Sequence, residues 1–194
     1  MSRTMSGCCV VLLMLLGGCS AQQQPVSSPY ATPSEVSRNT VLAQQLTEQA
    51  IEQMERHPDK AERLLREALT ADLYYGPAHN NLGIVYLSRG MLYEAASEFE
   101  WARKLMPGHP DPRMNLALTL ERAGRTDEAL AAYDTALAVF PGHIQSAQAL
   151  ARLQLRTGRT DDRTPALLDD IALRGESDTW RQWALAQRLK MKPD

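Results

Sequence analysis

Four histidines are the residues of this sequence best suited to binding a metal ion: His57, His79, His109 and His143. They lie too far apart along the chain to form a pair of zinc ligands on one helix. His109 and His143 both follow a Pro-Gly pair, but equivalent turns of neighbouring helix pairs are about 8–10 Å apart, too far to share one ion. We interpret these two as turn residues, and the sequence predicts neither a metal site nor a cofactor.

Two pairs of adjacent aspartates, Asp161-Asp162 and Asp169-Asp170, are the usual material of general acid and base catalysis. No histidine, serine or glycine-rich turn accompanies them to complete a site. The sequence also lacks a GxSxG motif, a phosphate loop and a dinucleotide fingerprint. We therefore expect these aspartates to be solvated helix residues. We also expect a protein that is not an enzyme, because the sequence contains no motif typical of a hydrolase or transferase.

The composition fits one folded domain, with 44% hydrophobic and 23% charged residues. The formal net charge is −2, and both signs are scattered along the chain. No dense basic patch could release counterions from a polyanion. We expect protein partners, no nucleic acid and no small-molecule substrate.

The first nineteen residues have a composition and pattern unlike those of the rest of the chain. Arg3 precedes an apolar run from Val10 to Leu16, which is too short to span a bilayer and ends in small residues. This pattern predicts an export signal over residues 1–18. The following Leu16-Gly17-Gly18-Cys19 resembles the lipobox of bacterial lipoproteins, which implies a lipid (palmitate) anchor on Cys19. The alternative is an ordinary cleaved signal with a chance cysteine.

The lipobox resemblance also bears on location. An aspartate after the lipidated cysteine retains such proteins in the inner membrane, and here that residue is Ser20. The resemblance therefore implies the periplasmic face of the outer membrane, although the rule varies between bacterial groups. Residues 19–38 are rich in Gln, Ser and Pro and show no helical pattern, so they predict a lipidated cysteine followed by a flexible tether.

An internal repeat appears when residues 76–109 are laid over 110–143, at a spacing of 34 residues. Small residues then fall on small ones and large on large. The matched pairs are Leu82/Leu116, Gly83/Ala117, Tyr86/Leu120, Gly90/Gly124, Ala95/Ala129, Phe99/Tyr133, Ala102/Ala136 and Pro107/Pro141. The small positions allow two helices to approach, the glycines can close a first helix in the left-handed conformation, and the prolines stop a second helix.

This pattern resembles the tetratricopeptide repeat (TPR). The resemblance implies an all-α fold, a short α-solenoid of antiparallel helix pairs over residues 39–175. Degenerate copies are expected at about 42–75 and at 144–175, where the second helix begins near Thr164-Pro165. His79, Arg113 and Ala147 stand where the family often has tryptophan, which predicts a thinner core.

Residues 176–194 predict a capping helix with Trp180, Trp183, Ala184 and Leu189 broadly on one side. The alternative is that the two tryptophans form a stacking surface for a sugar polymer such as peptidoglycan.

In this family the first helices of successive repeats line a groove that holds a partner segment. Carried over by position, the groove residues are Asn80, Asn81, Ile84, Leu87, Ser88, Asp111, Met114, Asn115, Leu118 and Arg122, continued by Gln145, Gln148 and Arg152. Asn81 and Asn115 occupy equivalent positions, and some family members grip a ligand backbone with asparagines there. The family's carboxylate clamp is not expected, because its five positions hold Leu46, Ala50, Asn81, Asp111 and Asn115, of which only one agrees.

Together these features predict a non-enzymatic interaction scaffold, anchored in the periplasm. Lipoproteins of this architecture are similar to accessory proteins that help assemble Flp or type IV pili and secretion systems, which implies a protein partner in the cell envelope. The alternative is a factor that associates with peptidoglycan or exopolysaccharide and recruits or regulates envelope enzymes.

Overall fold

The computed structural model describes residues 38–191, and this part of the chain contains nine α-helices and no strand. The helices are α1 (Thr40–Gln53), α2 (Pro58–Ala71), α3 (Gly76–Ser88), α4 (Leu92–Leu105), α5 (Asp111–Arg122), α6 (Thr126–Val139), α7 (Ile144–Thr157), α8 (Thr164–Arg174) and α9 (Asp178–Lys190). Each helix packs on the next along the chain, and α3 also packs on α1 and α5. The predicted all-α solenoid is thereby confirmed. Among the described residues, no helix combines the length and apolarity needed to cross a membrane.

Glycine and proline set where these helices begin and end. Gly90, Gly124 and Gly158 have φ values of 74°, 76° and 68°, in the left-handed region where a side chain is unfavourable. Each follows the first helix of a pair, as predicted for Gly90 and Gly124. At the end of α5, the Arg125 N–H then donates to the Leu120 carbonyl at 2.9 Å, which satisfies a carbonyl at the helix end.

Small residues lie where the helices approach most closely. A Cβ added to Gly83 would lie 2.6 Å from the Phe99 ring, closer than side chains pack. Ala117 takes the same position in the next repeat, and Tyr133 replaces Phe99. Ala117, Phe99 and Tyr133 are all fully buried. The matched small and large positions therefore describe one packing arrangement used twice.

The degenerate fourth pair, α7 and α8, has a polar contact inside its core. Gln154, which is equivalent to Tyr86 and Leu120 in the two preceding repeats, is 3% exposed. Its amide donates to Asp161 at 3.2 Å and accepts from the Thr164 hydroxyl at 3.0 Å. The helix predicted to start near Thr164-Pro165 does begin at Thr164, with Pro165 in its first turn, where the missing N–H costs nothing.

A second, smaller core joins α7, α8 and α9. Its buried members are Ala147, Ala151, Leu168, Ile171 and Ala184, with Trp180 and Trp183 packed against them. The expectation for Leu189 was wrong, since this side chain is 67% exposed. It lies nine residues beyond Trp180, which is two and a half helical turns and therefore the opposite side of α9.

Candidate binding groove

Residues at helical spacing mark one side of each first helix, and all of these side chains except the buried Gln148 are exposed or half-buried. On α3 the stripe includes Asn80, Ile84 and Ser88; on α5, Asp111, Met114, Leu118 and Arg122; on α7, Gln145, Gln148, Arg152 and Arg156. We call this surface the first-helix face. It carries the groove positions that the resemblance predicts, apart from Asn81, Leu87 and Asn115.

A groove of about 820 Å³ opens between α3 and the end of α1. Ile84 and Ser88 line it from α3, and Ile51 and Glu52 line it from α1. The segment just after α1 adds Met54, Glu55 and Arg56. Two predicted groove residues therefore lie beside an apolar surface that a partner segment can reach. The α1 residues at this edge were missed by sequence reasoning, because α1 keeps few of the family's positions.

Three predicted groove residues, Leu87, Asn115 and Gln148, are buried, and Gln148 is 3% exposed. Leu87 is 6% exposed and belongs to the large core, because α3 is covered on one side by α1 and on the other by α5. Asn115 is 8% exposed. Leu87 therefore stabilises the repeat array rather than lining the groove, which corrects its assignment from the family pattern.

The two equivalent asparagines have different partners. The Asn81 amide donates to the Pro77 carbonyl of its own helix at 2.9 Å. The Asn115 amide donates across the repeat to Asn80 Oδ1 at 3.1 Å. The equivalent positions therefore do not present two equivalent amides, and Asn80 joins the pair. A ladder that grips a partner backbone stays a prediction.

Polar contacts join successive first helices at a constant spacing of 35 residues. Asn115 reaches Asn80, Arg122 Nη1 donates to the Leu87 carbonyl at 3.1 Å, and Arg156 Nη2 donates to Glu121 at 2.9 Å. Arg122 and Arg156 were not recognised as a repeated pair from the sequence. Their spacing of 34 residues equals the repeat length, and this was the sequence signal that could have identified them as equivalent.

Glu121 is the charged centre at the α5–α7 contact. Its side chain is 7% exposed and accepts from Arg152 at 3.3 Å, Arg156 at 2.9 Å and the Tyr133 hydroxyl at 3.0 Å. Burial, and then the Glu121 charge, raise the pKa of Tyr133 above its usual range. The phenol thus remains a hydrogen-bond donor at neutral pH.

The histidines with the most contacts are structural. His79 is 4% exposed, stacks on Trp101 and lies between Glu98 Oε2 at 2.6 Å and the Leu73 carbonyl at 2.9 Å. It therefore fills the core position where the family often has tryptophan. His143 precedes α7 and contacts Asp111 at 3.1 Å. Within residues 38–191, no three His, Cys, Asp or Glu side chains are grouped so as to hold a metal ion.

The paired aspartates form ion pairs and a helix start. Asp169 pairs with Arg188 at 3.1 Å, and Asp170 pairs with Arg174. Asp161 is not the solvated helix residue that was expected, because it precedes α8 and is half-buried. It accepts from the Thr164 N–H at 3.1 Å. Burial alone would raise the pKa of Asp161, but hydrogen bonds from Arg163 and Thr164 lower it.

The fold and this face define a TPR-like helical solenoid. A model of the tetratricopeptide repeat matches residues 86–153 and 120–162. Domains of this kind are generally non-catalytic modules that bind protein partners. No curated protein matches the chain by sequence.

Solved structures share the fold at low sequence identity. A tetratricopeptide repeat protein from Parabacteroides merdae is 21% identical with a TM-score of 0.64, covering 78% of this chain and 60% of that one. The first TPR of Spaghetti (RPAP3), bound to the HSP90 peptide SRMEEVD, is 16% identical with a TM-score of 0.60, covering 63% and 98%. The Thermobaculum terrenum O-GlcNAc transferase mutant K341M is 21% identical with a TM-score of 0.61, covering 72% of this chain but 26% of the enzyme.

Proposed function

We propose that this protein is a non-enzymatic scaffold that binds a partner protein on its first-helix face. The observation that carries the proposal is the groove beside Ile84 and Ser88, lined by apolar side chains from two helices. Half-buried Met114 and Leu118 continue this apolar surface onto α5. Partner helices and extended segments bind such grooves by inserting apolar side chains.

The proposal includes a location. The apolar run at Val10–Leu16 and the lipobox-like sequence ending in Cys19 favour export and lipidation, with Ser20 favouring the outer membrane. Cys19 and the tether lie outside the described residues. A lipid-anchored scaffold that faces the periplasm would act on partners in the cell envelope, and the resemblance to pilus and secretion-system accessory lipoproteins favours an assembly role. The sugar-polymer alternative rests on Trp180 and Trp183, which pack against each other with their rings 5.2 Å apart and against the second core.

Lipidation is tested separately from binding. Metabolic labelling with radioactive palmitate should mark the wild-type chain and not Cys19→Ala, and the variant should leave the membrane fraction. Equal labelling of both chains would refute the anchor at Cys19, whereas the scaffold function would stand.

Partner binding is tested by cross-linked pull-down from envelopes, comparing wild type with Ile84→Ser/Leu118→Ser. The expected result is a partner captured by the wild type and lost in the variant. Tyr93→Ser/Leu173→Ser is the matched control, because these apolar side chains lie on second helices and are 86% and 78% exposed. Loss of the partner in the control alone would move the binding surface to the second helices and overturn the proposal.

A further inference from the structure

The first-helix face carries an excess of positive charge at one end. Arg122 on α5 and Arg152 and Arg156 on α7 form what we call the arginine cluster. Arg152 and Arg156 share one oxygen of Glu121, at 3.3 and 2.9 Å, whereas Arg122 contacts the neutral carbonyl of Leu87. Arg122 follows Glu121 directly in α5, so this end of the face carries three positive charges and one negative charge.

These guanidinium groups keep donors available to a partner. A guanidinium carries five N–H donors, and within residues 38–191 each of the three groups makes one of the hydrogen bonds just described. The Arg152 and Arg156 side chains are 45% and 58% exposed. A carboxylate from a partner can therefore reach the cluster and be held by two parallel N–H groups.

A buried amide on α7 is a second, independent observation that points to a ligand. Gln148 lies one turn before Arg152 and is 3% exposed. Its Nε2 meets no acceptor among the described residues. An unsatisfied buried donor is destabilising, and a partner's backbone carbonyl would accept from this amide if the side chain turned outward.

The rest of the first-helix face indicates which partner residues would lie beside the carboxylate that the arginine cluster holds. Ile84, Met114 and Leu118 form an apolar middle, and Glu52, Glu55 and Arg56 line the groove at the far edge. Two carboxylates against one guanidinium leave this edge with a net negative charge, which disfavours a long polyanion such as a nucleic acid, whose charge is uniform along its length. The charge order favours a partner segment that is acidic at one end and apolar beside it.

We propose that the arginine cluster holds an acidic stretch of the partner protein, while the apolar middle holds its neighbouring side chains. This inference rests on the proposed scaffold function and names the chemistry of its partner. Arg122, Arg152 and Arg156 are outside the five positions of the family's carboxylate clamp, so the cluster is a feature of this chain.

The probe is a phage-displayed library of random twelve-residue peptides, selected on the full-length chain. Enriched peptides should contain adjacent Asp or Glu residues. Fluorescence anisotropy then compares one enriched peptide with its Asn/Gln counterpart, which should bind about tenfold more weakly, a loss of about 1.4 kcal/mol. Binding of the acidic peptide should also weaken as salt screens the charges.

The decisive variant is Arg122→Glu, because Arg122 does not contact Glu121 and both ion pairs of that carboxylate remain. It should bind the acidic peptide about tenfold more weakly, and replacing the peptide's acidic residues by lysine should restore binding. A misfolded protein could not gain affinity for the lysine peptide, so this swap separates charge recognition from folding. Arg63→Glu, an exposed arginine on α2, is the control with the same change of charge.

The outcomes separate the two proposals. Enriched peptides without acidic bias, or unchanged binding by Arg122→Glu, would overturn the acidic-partner inference and leave the scaffold function in place. No enriched peptide together with no partner in the pull-down would overturn both. A single-stranded oligonucleotide bound by the wild type and lost in Arg122→Glu would replace the protein partner with a nucleic acid.

Discussion

At the scale of single residues, buried carboxylates tie distant parts of the chain together. The Asp72 side chain is fully buried between α2 and α3. It accepts from Arg38 at 2.9 Å, from the Thr40 hydroxyl at 2.7 Å and from the Tyr74 N–H at 3.0 Å. These bonds fasten the start of α1, so Asp72 fixes the point at which the described repeats begin.

The pKa of Asp72 makes this contact sensitive to acid. Burial would raise that pKa, but the hydrogen bonds from Arg38, Thr40 and Tyr74 lower it below its usual value. Because the folded-state pKa is below that of the unfolded chain, the stabilisation is complete above about pH 4 and is lost as the pH falls through the folded-state pKa.

We predict that Asp72→Asn lowers the free energy of unfolding by about 1–3 kcal/mol at pH 7, because hydrogen bonds to a charged acceptor are lost. The difference from wild type should shrink as the pH falls below about 4 and through the lowered folded-state pKa. Urea titrations across this range measure it. Asp59→Asn is the control, since that carboxylate is 85% exposed and pairs with Arg89 at the surface. A difference independent of pH would contradict the assignment.

At the scale of helices, close approach between the two members of a pair limits residue size. Gly83 on α3 meets the Phe99 ring on α4, whereas the equivalent pair has Ala117 against Tyr133. The backbone of α3 and the aromatic ring thus occupy the space that a methyl group would need. The glycine is required here by packing rather than by a turn.

Gly83→Ala should therefore destabilise the protein by about 1–2 kcal/mol, because overpacking exceeds the gain in helix propensity. Shortening the neighbour in Gly83→Ala/Phe99→Leu should cost less than the sum of the two single changes. A thermal-unfolding double-mutant cycle measures this coupling. Additive effects would show that the two residues do not compete for space.

The last helix, α9, offers a second test at this scale. Trp183 packs against the second core and against the edge of Trp180. Trp183→Ala should lower the free energy of unfolding by about 2–3 kcal/mol, because a half-buried aromatic side chain is removed. Circular dichroism and urea unfolding measure the loss. Unchanged stability together with lost binding to purified sacculi would instead favour the sugar-polymer alternative.

At the scale of the molecule, residues 38–191 contain two hydrophobic cores. The larger reaches from α1 to α7 and the smaller joins α7, α8 and α9, with Leu137 and Leu167 packed against both. In a repeat array each unit contacts its neighbours, so stability is approximately a sum of local terms. The two cores therefore need not lose structure together.

Ile171→Ala should test this independence, because Ile171 is fully buried in the smaller core. We expect a loss of about 2–4 kcal/mol in that core. Hydrogen exchange read by mass spectrometry should show faster exchange in α8 and α9, with α3 to α5 unchanged. Equal acceleration in all helices would show that the array unfolds as one unit.

The sequence determined the helical repeat, because its evidence is local and occurs twice. Gly90 and Gly124, the small positions and the start of α8 could each be predicted from residue type and spacing. The aspartates' ion pairs, the burial of Leu87 and Asn115 and the exposure of Leu189 could not, since they depend on which helices cover a given face. Cys19 and the tether lie outside the described residues and stay predictions.

Only the tertiary structure decided which charges of this protein are buried and which remain open to a partner. Asp72 meets Arg38 across 34 residues, and Glu121 meets Arg156 across 35. The same sequence spacings were visible beforehand, but they do not say which charge is buried or which arginine remains open to solvent. The strength of a charge contact depends on desolvation and distance in space, and these are fixed only when successive helix pairs have packed.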